Sequence, residues 1–182
     1  HYCSRRQRQM CIRDSGYTLD ECYEGIDSGF TSVMFDGSKL TLKENIKISK
    51  KIASRAHKYN ISIEGEIGFV GYDNGKISEG TNIEDAVTFA NKSNIDAMAI
   101  SVGNTHLQTS KKASIDFNKI NLIEAKTKIP LVLHGSSGIP VEQRKKLARK
   151  TKVAKLNIGT EIRMTFGEAL RKNLKNNPKT YD

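Results

Sequence analysis

The stretch IPLVLHGSSG, residues 129–138, is an apolar run that ends in a histidine and a glycine-rich turn with two hydroxyl groups. Such a run predicts a buried strand that carries polar chemistry at its tip. Four other apolar runs end in a similar way, and they read FTSVMFDGS (30–38), ISIEGEIG (61–68), DAMAISVGNTH (96–106) and VAKLNIGT (153–160). Together the five runs predict a single site at one face of one sheet.

The length of 182 residues suits one domain with a sizeable core and is too short for two ordinary domains. No apolar run reaches about 18 residues and no signal-peptide core is present, so neither a membrane span nor export is predicted. Cys3, Cys11 and Cys22 lack CxxC spacing, which argues against disulfides and a thiolate zinc site. We therefore expect a cytoplasmic protein with reduced thiols.

The formal net charge is +10, which is compatible with nucleic acid, an anionic membrane or anionic substrates as partners. The lysines are scattered along predicted helices and do not form a patch with interleaved aromatic residues. Nucleic-acid binding is therefore not favoured.

Residues 1–15, HYCSRRQRQMCIRDS, show neither helical nor strand periodicity and differ in composition from everything that follows. The string RQRQMCIRDS resembles translated sequencing-adapter read-through. We therefore predict a non-native segment at 1–15 and a native domain at 16–182. Resequencing the source gene across codon 16 tests this hypothesis, and finding the same codons there would contradict it.

From Tyr17 onward, five predicted strands alternate with predicted helices, and the first helix opens with the capping-box spacing of Thr18 and Glu21. The strands are apolar on both faces, as buried parallel strands are. This alternation predicts the α/β class with parallel βα units. In the second of these strands, Glu64 and Glu66 share a face because strand side chains repeat every two residues. The presence of two acidic side chains on one face of a buried strand needs an explanation.

Reactive groups gather where parallel strands end, because the loops there vary over a constant scaffold. The side chains at these ends are Asp36, Ser38, Glu64, Glu66, His106, His134, Asn157 and Thr160. Two histidines at matching tips, with carboxylates on neighbouring tips, favour a metal centre, and neutral imidazole suits zinc. A catalytic zinc usually has three protein ligands, and the residue pattern alone does not reveal the third.

The turns GSSG at 135–138 and NIGT at 157–160 follow the last two predicted strands. They offer backbone N–H groups, hydroxyls and an amide at the place where barrel enzymes often bind a phosphate. An ordinary βα turn is the alternative interpretation. Because the two turns follow consecutive strands beside the predicted metal, phosphate binding is favoured.

The motifs GFTSVMFDGS, EGEIG, LVLHGSSGIP and KLNIGTEIR resemble the class II, metal-dependent fructose- or tagatose-bisphosphate aldolases. The resemblance runs from Gly16 to the C-terminus in the right order and spacing. It implies a TIM (β/α)8 barrel, here incomplete, with about five βα units and the N-terminal strands missing. It also implies a zinc-dependent lyase, with a monovalent cation as a further candidate cofactor, that is a homo-oligomer at full length.

The implied reaction cleaves a ketose 1,6-bisphosphate into dihydroxyacetone phosphate and glyceraldehyde 3-phosphate. Matched residue by residue, His106 and His134 are two zinc ligands, and Glu66, the acid beside the metal, is the third residue that we assign to the metal. Arg163 reaches the second phosphate from an adjacent subunit. The resemblance assigns the dihydroxyacetone phosphate end to Gly135, Ser137, Asn157, Gly159 and Thr160.

The pattern departs from the family at the first zinc ligand, at Leu107, where many relatives have a glycine that helps hold phosphate, and in the segment 71–74. Where the family has Leu-Asp-His-Gly, this chain places Asp14 at the catalytic acid and Ser15 at the first zinc-binding histidine. Asn74 stands where a proton-transferring glutamate is usual, and Asp73 is the substitute that we assign. A serine hydroxyl is a poor zinc ligand, so we expect weak zinc binding and little aldolase activity from this chain.

Two alternatives stay open. A non-catalytic aldolase-like protein would keep phosphate binding or subunit contacts without metal chemistry. A Schiff-base mechanism would use Lys155, which lies in the last predicted strand. The sequence does not decide between fructose and tagatose substrates, which differ in the configuration of one hydroxyl.

Overall fold

The computed structural model describes residues 12–70, 80–104 and 113–176, with only the backbone for 12–15. In these ranges six parallel strands lie side by side in the order of the sequence. The strands are β1 (Ile12–Gly16), β2 (Ser32–Asp36), β3 (Ser62–Ile67), β4 (Ala97–Ile100), β5 (Leu131–Leu133) and β6 (Val153–Leu156). The predicted α/β class is confirmed, and within the described residues the sheet is open, with β1 and β6 at its edges.

Helices follow the strands and cover the sheet. They are α1 (Leu19–Asp27), α2 (Leu42–Ala56), α3 (Ile83–Ser93), α4 (Phe117–Lys126), α5 (Val141–Lys150) and α6 (Thr160–Asn176), with short 3-10 helices at His57–Tyr59 and Ser136–Gly138. The predicted capping box is present, since Thr18 accepts from the backbone of Glu21 and the Glu21 side chain accepts from the Thr18 backbone. No helix in the described ranges is long and apolar enough to cross a membrane.

The register of the strands brings their carboxyl ends to one edge. Asp36 on β2 lies level with Glu66 on β3, and Leu133 on β5 lies level with Leu156 on β6. The next residues along the chain, His134 and Asn157, therefore leave the sheet on the same side. This register places the predicted site at one end of the sheet.

The core lies between the sheet and its helices. The middle residues of β2 and all three residues of β5 are buried, as expected for parallel strands that are covered on both faces. Phe35, Ile63, Phe89 and Leu131 are among its fully buried side chains. Burial of this kind supplies about 1.5–3 kcal/mol for each large apolar side chain.

All five predicted strands are present, and β1 is a sixth strand that the sequence analysis did not predict. It pairs with β2 through Ile12 and Ser32, and its register shifts between Arg13 and Gly16. Its sequence IRDSG lacks the apolar pattern of a buried strand, so pairing with β2, rather than local propensity, accounts for it. Residues 12–15 lie within the segment predicted to be non-native, and that origin stays a prediction.

Candidate active site

His134 occupies the tip of β5, immediately before a sharp turn. Gly135 has a φ of 60°, in the left-handed region, and the 3-10 helix Ser136–Gly138 follows it. Glycine enters this region without the steric cost that a Cβ atom brings. The turn therefore leaves the imidazole at the strand end and turns the chain toward the end of β6.

Two glutamates of β3 flank the His134 ring. Its Nε2 lies 2.8 Å from Glu64 Oε1 and its Nδ1 lies 3.6 Å from Glu66 Oε2. All three side chains are at least 94% buried, with exposed fractions of 6%, 6% and 5%. The strand β4 lies between β3 and β5, and its residues Ala97 and Ala99 are level with Glu64 and Glu66. Because both are alanines, their small side chains leave space for the glutamates to reach His134 across β4.

Lys155 of β6 extends this cluster. Its Nζ lies 2.6 Å from Glu64 Oε2. Burial alone would raise the pKa of Glu64, but hydrogen bonds from His134 and Lys155 and their charges outweigh burial and hold that pKa below its usual value. Lys155 thus contacts Glu64, and its role in the Schiff-base alternative stays a prediction.

The donor atoms around His134 suit a zinc ion. In the tautomer that donates Nε2–H to Glu64, the ring presents its Nδ1 lone pair on the side of Glu66, and a histidine ligand is commonly held by such a carboxylate. Among the described residues, which do not include His106, no group of three or more His, Cys, Asp or Glu side chains is arranged to hold a metal. His134 and Glu66 lie side by side, as the predicted zinc site requires, and their role as ligands, like that of His106, stays a prediction.

The two turns predicted to bind phosphate adjoin each other. Ser136 N–H donates to Asn157 O at 3.1 Å, and Asn157 N–H donates to Leu133 O at 2.9 Å. Glu161 N–H donates to Ser137 Oγ at 3.2 Å, which connects the first turn to the start of α6. The structure therefore brings the predicted phosphate residues Gly135, Ser137, Asn157, Gly159 and Thr160 into two neighbouring turns, and their role stays a prediction.

Arg163 lies over the second of these turns. Its Nη2 lies 3.2 Å from Thr160 Oγ1, and a Cβ atom built on Gly159 would be 3.1 Å from its Nη1. The guanidinium group is thus held beside the residues predicted to bind phosphate. Its predicted reach into an adjacent subunit is not tested by a single chain and stays a prediction.

Buried asparagines that the sequence analysis did not assign hold the backbone of the site. Asn45 of α2 donates to Glu66 O at 2.9 Å. Asn104 donates to His134 O at 2.9 Å and accepts from Val102 N–H at 2.7 Å. A Cβ atom on Gly37 would lie 2.2 Å from Asn45 Oδ1, so the glycine of the DGS motif makes room for this amide. The DGS motif is therefore the sequence signal that could have indicated the role of Asn45.

Three predicted residues are not placed. Asp73 and His106 lie outside the described residues, and Asp14 is described only as backbone within β1. Near the site, the DGS turn is closed on itself, because Asp36 Oδ1 accepts from Ser38 N–H at 3.0 Å and from Ser38 Oγ–H at 2.6 Å. The described part of the site therefore consists of the histidine, its acidic neighbours and the two turns.

Curated relatives of this chain are aldolases. It is 40% identical to the 6-phospho-5-dehydro-2-deoxy-D-gluconate aldolase of Shouchella clausii over 161 residues, 87% of this chain and 55% of that protein. It is 35% identical to a fructose-bisphosphate aldolase of Staphylococcus epidermidis over 173 residues, 93% of this chain and 60% of that protein. The chain thus spans a little over half the length of these relatives.

Solved structures share the fold. The YdjI aldolase of Escherichia coli K12 matches with a TM-score of 0.74 and 26% identity, over 89% of this chain and 56% of that one. A fructose-1,6-bisphosphate aldolase structure from Coccidioides immitis matches with a TM-score of 0.78 over 92% of this chain and 65% of that one, and its 21% identity supports the fold alone. The class-II fructose-bisphosphate aldolase family matches residues 9–182, and the chain belongs to that family.

Proposed function

We propose that this chain is part of a class II aldolase that cleaves a phosphorylated keto sugar or keto sugar acid to dihydroxyacetone phosphate and an aldehyde. The observation that carries the proposal is the buried His134, with Glu64 and Glu66 around its ring, immediately before one of two adjoining glycine-containing turns. A metal-binding imidazole and a phosphate-binding turn in consecutive residues suit a substrate whose ketone is one carbon away from its phosphate ester.

Fructose bisphosphate, tagatose bisphosphate and 6-phospho-5-dehydro-2-deoxy-D-gluconate share that end. In each, the hydroxyl on the β-carbon loses its proton and becomes the aldehyde oxygen as the bond between the α-carbon and that β-carbon breaks, and the electron pair of the broken bond passes to the ketone side as an enediolate. Protonation of the α-carbon then releases dihydroxyacetone phosphate. The role of zinc, held by His106, His134 and Glu66, would be to stabilise the negative charge on the ketone oxygen.

The protein's own residues would bind the substrate and move its protons. The turns at 135–138 and 157–160 would hold the phosphate through N–H groups and hydroxyls, which sets the ketone beside His134. Asp73 is the carboxylate that we propose for proton transfer, together with Asp14, whose role requires that residues 12–15 be native. Asn45 and Asn104 would keep the site rigid, since they hold the backbone carbonyls of Glu66 and His134.

The substrates differ at their far end, which is a carboxylate in the gluconate derivative and a phosphate in the two bisphosphates. The identity is higher to the relative named 6-phospho-5-dehydro-2-deoxy-D-gluconate aldolase, at 40%, than to the one named fructose-bisphosphate aldolase, at 35%. We therefore rank the gluconate derivative first and the two ketose bisphosphates second.

The test is release of dihydroxyacetone phosphate from each substrate by the purified chain, with added zinc and with a chelator. We expect slow, chelator-sensitive release from the unmodified chain, because Ser15 stands at the place of a zinc-binding histidine. The variant Ser15→His should increase the rate at least about tenfold, since restoring one ligand strengthens metal binding, and the matched control Ser15→Ala should not.

Robust cleavage with stoichiometric zinc in the unmodified chain would contradict the expected impairment. No release from any of the three substrates, even in the Ser15→His variant, would contradict the proposed function.

A second candidate is an aldolase-like protein that binds sugar phosphates without metal chemistry. Ser15 at the position of the first predicted zinc ligand favours it. Binding of dihydroxyacetone phosphate that is indifferent to zinc, together with inactivity of the Ser15→His variant, would select this candidate.

A further inference from the structure

The two phosphate turns belong to different βα units. Residues 135–138 follow β5, residues 157–160 follow β6, and α5 separates them in the sequence. A phosphate that uses donors of both turns requires a defined spacing between them. That spacing is set by noncovalent contacts, of which the backbone bond from Ser136 N–H to Asn157 O is one.

Arg144 bridges the two units with a single nitrogen. Its Nη2 donates to Ser137 O at 2.8 Å and to Glu161 Oε2 at 2.5 Å. The exposed fractions of the Arg144 and Glu161 side chains are 18% and 32%, so the pair is partly shielded from water. The backbone N–H of Arg144 donates to Pro140 O at the start of α5.

Glu161 is an unexpected neighbour for a phosphate. It lies in the first turn of α6, directly after residues 157–160. A carboxylate is favourable at a helix N-terminus on its own, but it repels an anion that binds at the same end. The guanidinium of Arg144 contacts this carboxylate and cancels its charge, while the Glu161 N–H donates to Ser137 Oγ.

We infer that Arg144 is a positioning residue for phosphate binding, which holds the two turns together and neutralises Glu161. The inference rests on the proposed function, because it requires that the two turns bind the phosphate of the substrate. The residue was not among those assigned from the sequence, where it is one of several basic residues in α5.

The test is the affinity of the 182-residue chain for inorganic phosphate, measured by titration calorimetry at constant ionic strength. We expect Arg144→Met to weaken phosphate binding about tenfold, which corresponds to about 1.4 kcal/mol. The matched control is Lys145→Met, which removes the same charge from the next residue. Lys145 is 54% exposed and pairs with Glu142, which is 81% exposed, so its loss should change the affinity less than about twofold.

Variants of Glu161 separate positioning from general destabilisation. Glu161→Gln should bind phosphate at least as well as the unmodified chain, because the repelling charge is absent. Arg144→Met with Glu161→Gln should recover part of the lost affinity, although the bridge is still broken. Arg144→Lys keeps the charge without the planar donor group, and we expect about a threefold loss.

Circular dichroism at the assay temperature establishes that each variant is folded. Equal losses in Arg144→Met and Lys145→Met, or a double variant no better than Arg144→Met, would overturn the inference. If Arg144→Met does not fold, a tenfold loss in Glu161→Gln would overturn it. An unmodified chain without measurable phosphate affinity would instead contradict the phosphate site of the proposed function, and the inference with it.

Discussion

The centre of the sheet and its β6–α6 edge have similar sequence patterns but different burial. All three residues of β5 are buried, whereas the four residues of β6 are half-buried or exposed. None of residues 160–176, all of them described, is buried, and Ile162 and Phe166 are 64% and 69% exposed. A strand in the centre has two neighbours and a covering helix, and the edge lacks one of these neighbours. An apolar run therefore predicts a strand or helix, but the neighbouring strands and helices determine how much its burial stabilises the fold.

The largest difference should come from shortening one phenylalanine in each region. Phe89 of α3 is fully buried, so Phe89→Ala should lower the free energy of unfolding by about 3–5 kcal/mol through lost burial and a cavity. Phe166→Ala at the edge should change it by less than about 0.5 kcal/mol. Urea denaturation measures both values.

Equal destabilisation by the two phenylalanine variants would show that α6 is packed in solution against a surface absent from the isolated chain. Sedimentation at two protein concentrations would then identify self-association as the cause.

The buried ion cluster should give the next effect. Glu64→Ala leaves His134 and Lys155 without their shared carboxylate and should cost about 3 kcal/mol. Glu142→Ala removes a carboxylate that is 81% exposed and should cost less than about 0.5 kcal/mol. A small loss in Glu64→Ala would contradict the view that this cluster is integral to the central sheet.

The pH dependence of stability provides a second measurement at Glu64. Its pKa in the folded chain lies below the ordinary value of 4.5, so it stabilises the fold above that pH, and this contribution is lost as the pH falls through the folded pKa. The groups facing it are His134 and Lys155. We expect a shallower loss of stability in acid for Glu64→Gln than for the unmodified chain, from urea denaturation between about pH 3 and 7 with a chelator present.

The smallest effects should come from one glycine in each region, and with opposite signs. Gly135→Ala places a Cβ atom at a φ of 60° and should destabilise the chain by about 1 kcal/mol. Gly167→Ala lies within α6, where the nearest atom to the new Cβ is Arg171 Nη1 at 3.4 Å, and it should stabilise the helix by about 0.5–1 kcal/mol. Thermal denaturation measures both changes in stability. A change of the same sign in the two variants would contradict the difference that we draw between the two regions.

Much of the fold follows from local pattern. Each predicted strand from residue 30 onward is present, because continuous apolar runs between polar turns have few other stable arrangements. The helix α1 begins where Thr18 and Glu21 predict it, since a capping box satisfies N–H groups within four residues of chain. The proximity of His134 and Glu66 could also be expected, because parallel strands end at one edge.

Other features depend on contacts between distant residues. The strand β1 has no apolar pattern and exists through its pairing with β2. The partner of Lys155 is Glu64, which is 91 positions away in the chain, and Arg144 reaches Glu161 across the β6 unit. A basic residue in an amphipathic helix has the same sequence signature whether it faces water or a carboxylate.

The sequence by itself determined the βα alternation, the strand tips and the residue types gathered there, because hydrophobic period and turn chemistry act over a few residues. The tertiary structure decided which of those residues touch. Only the register of β3 against β5 and β6 unites Glu64, His134 and Lys155, and only the approach of α5 to α6 lets Arg144 join the two turns. Such contacts depend on the three-dimensional distance between strands and helices, which a linear pattern does not contain.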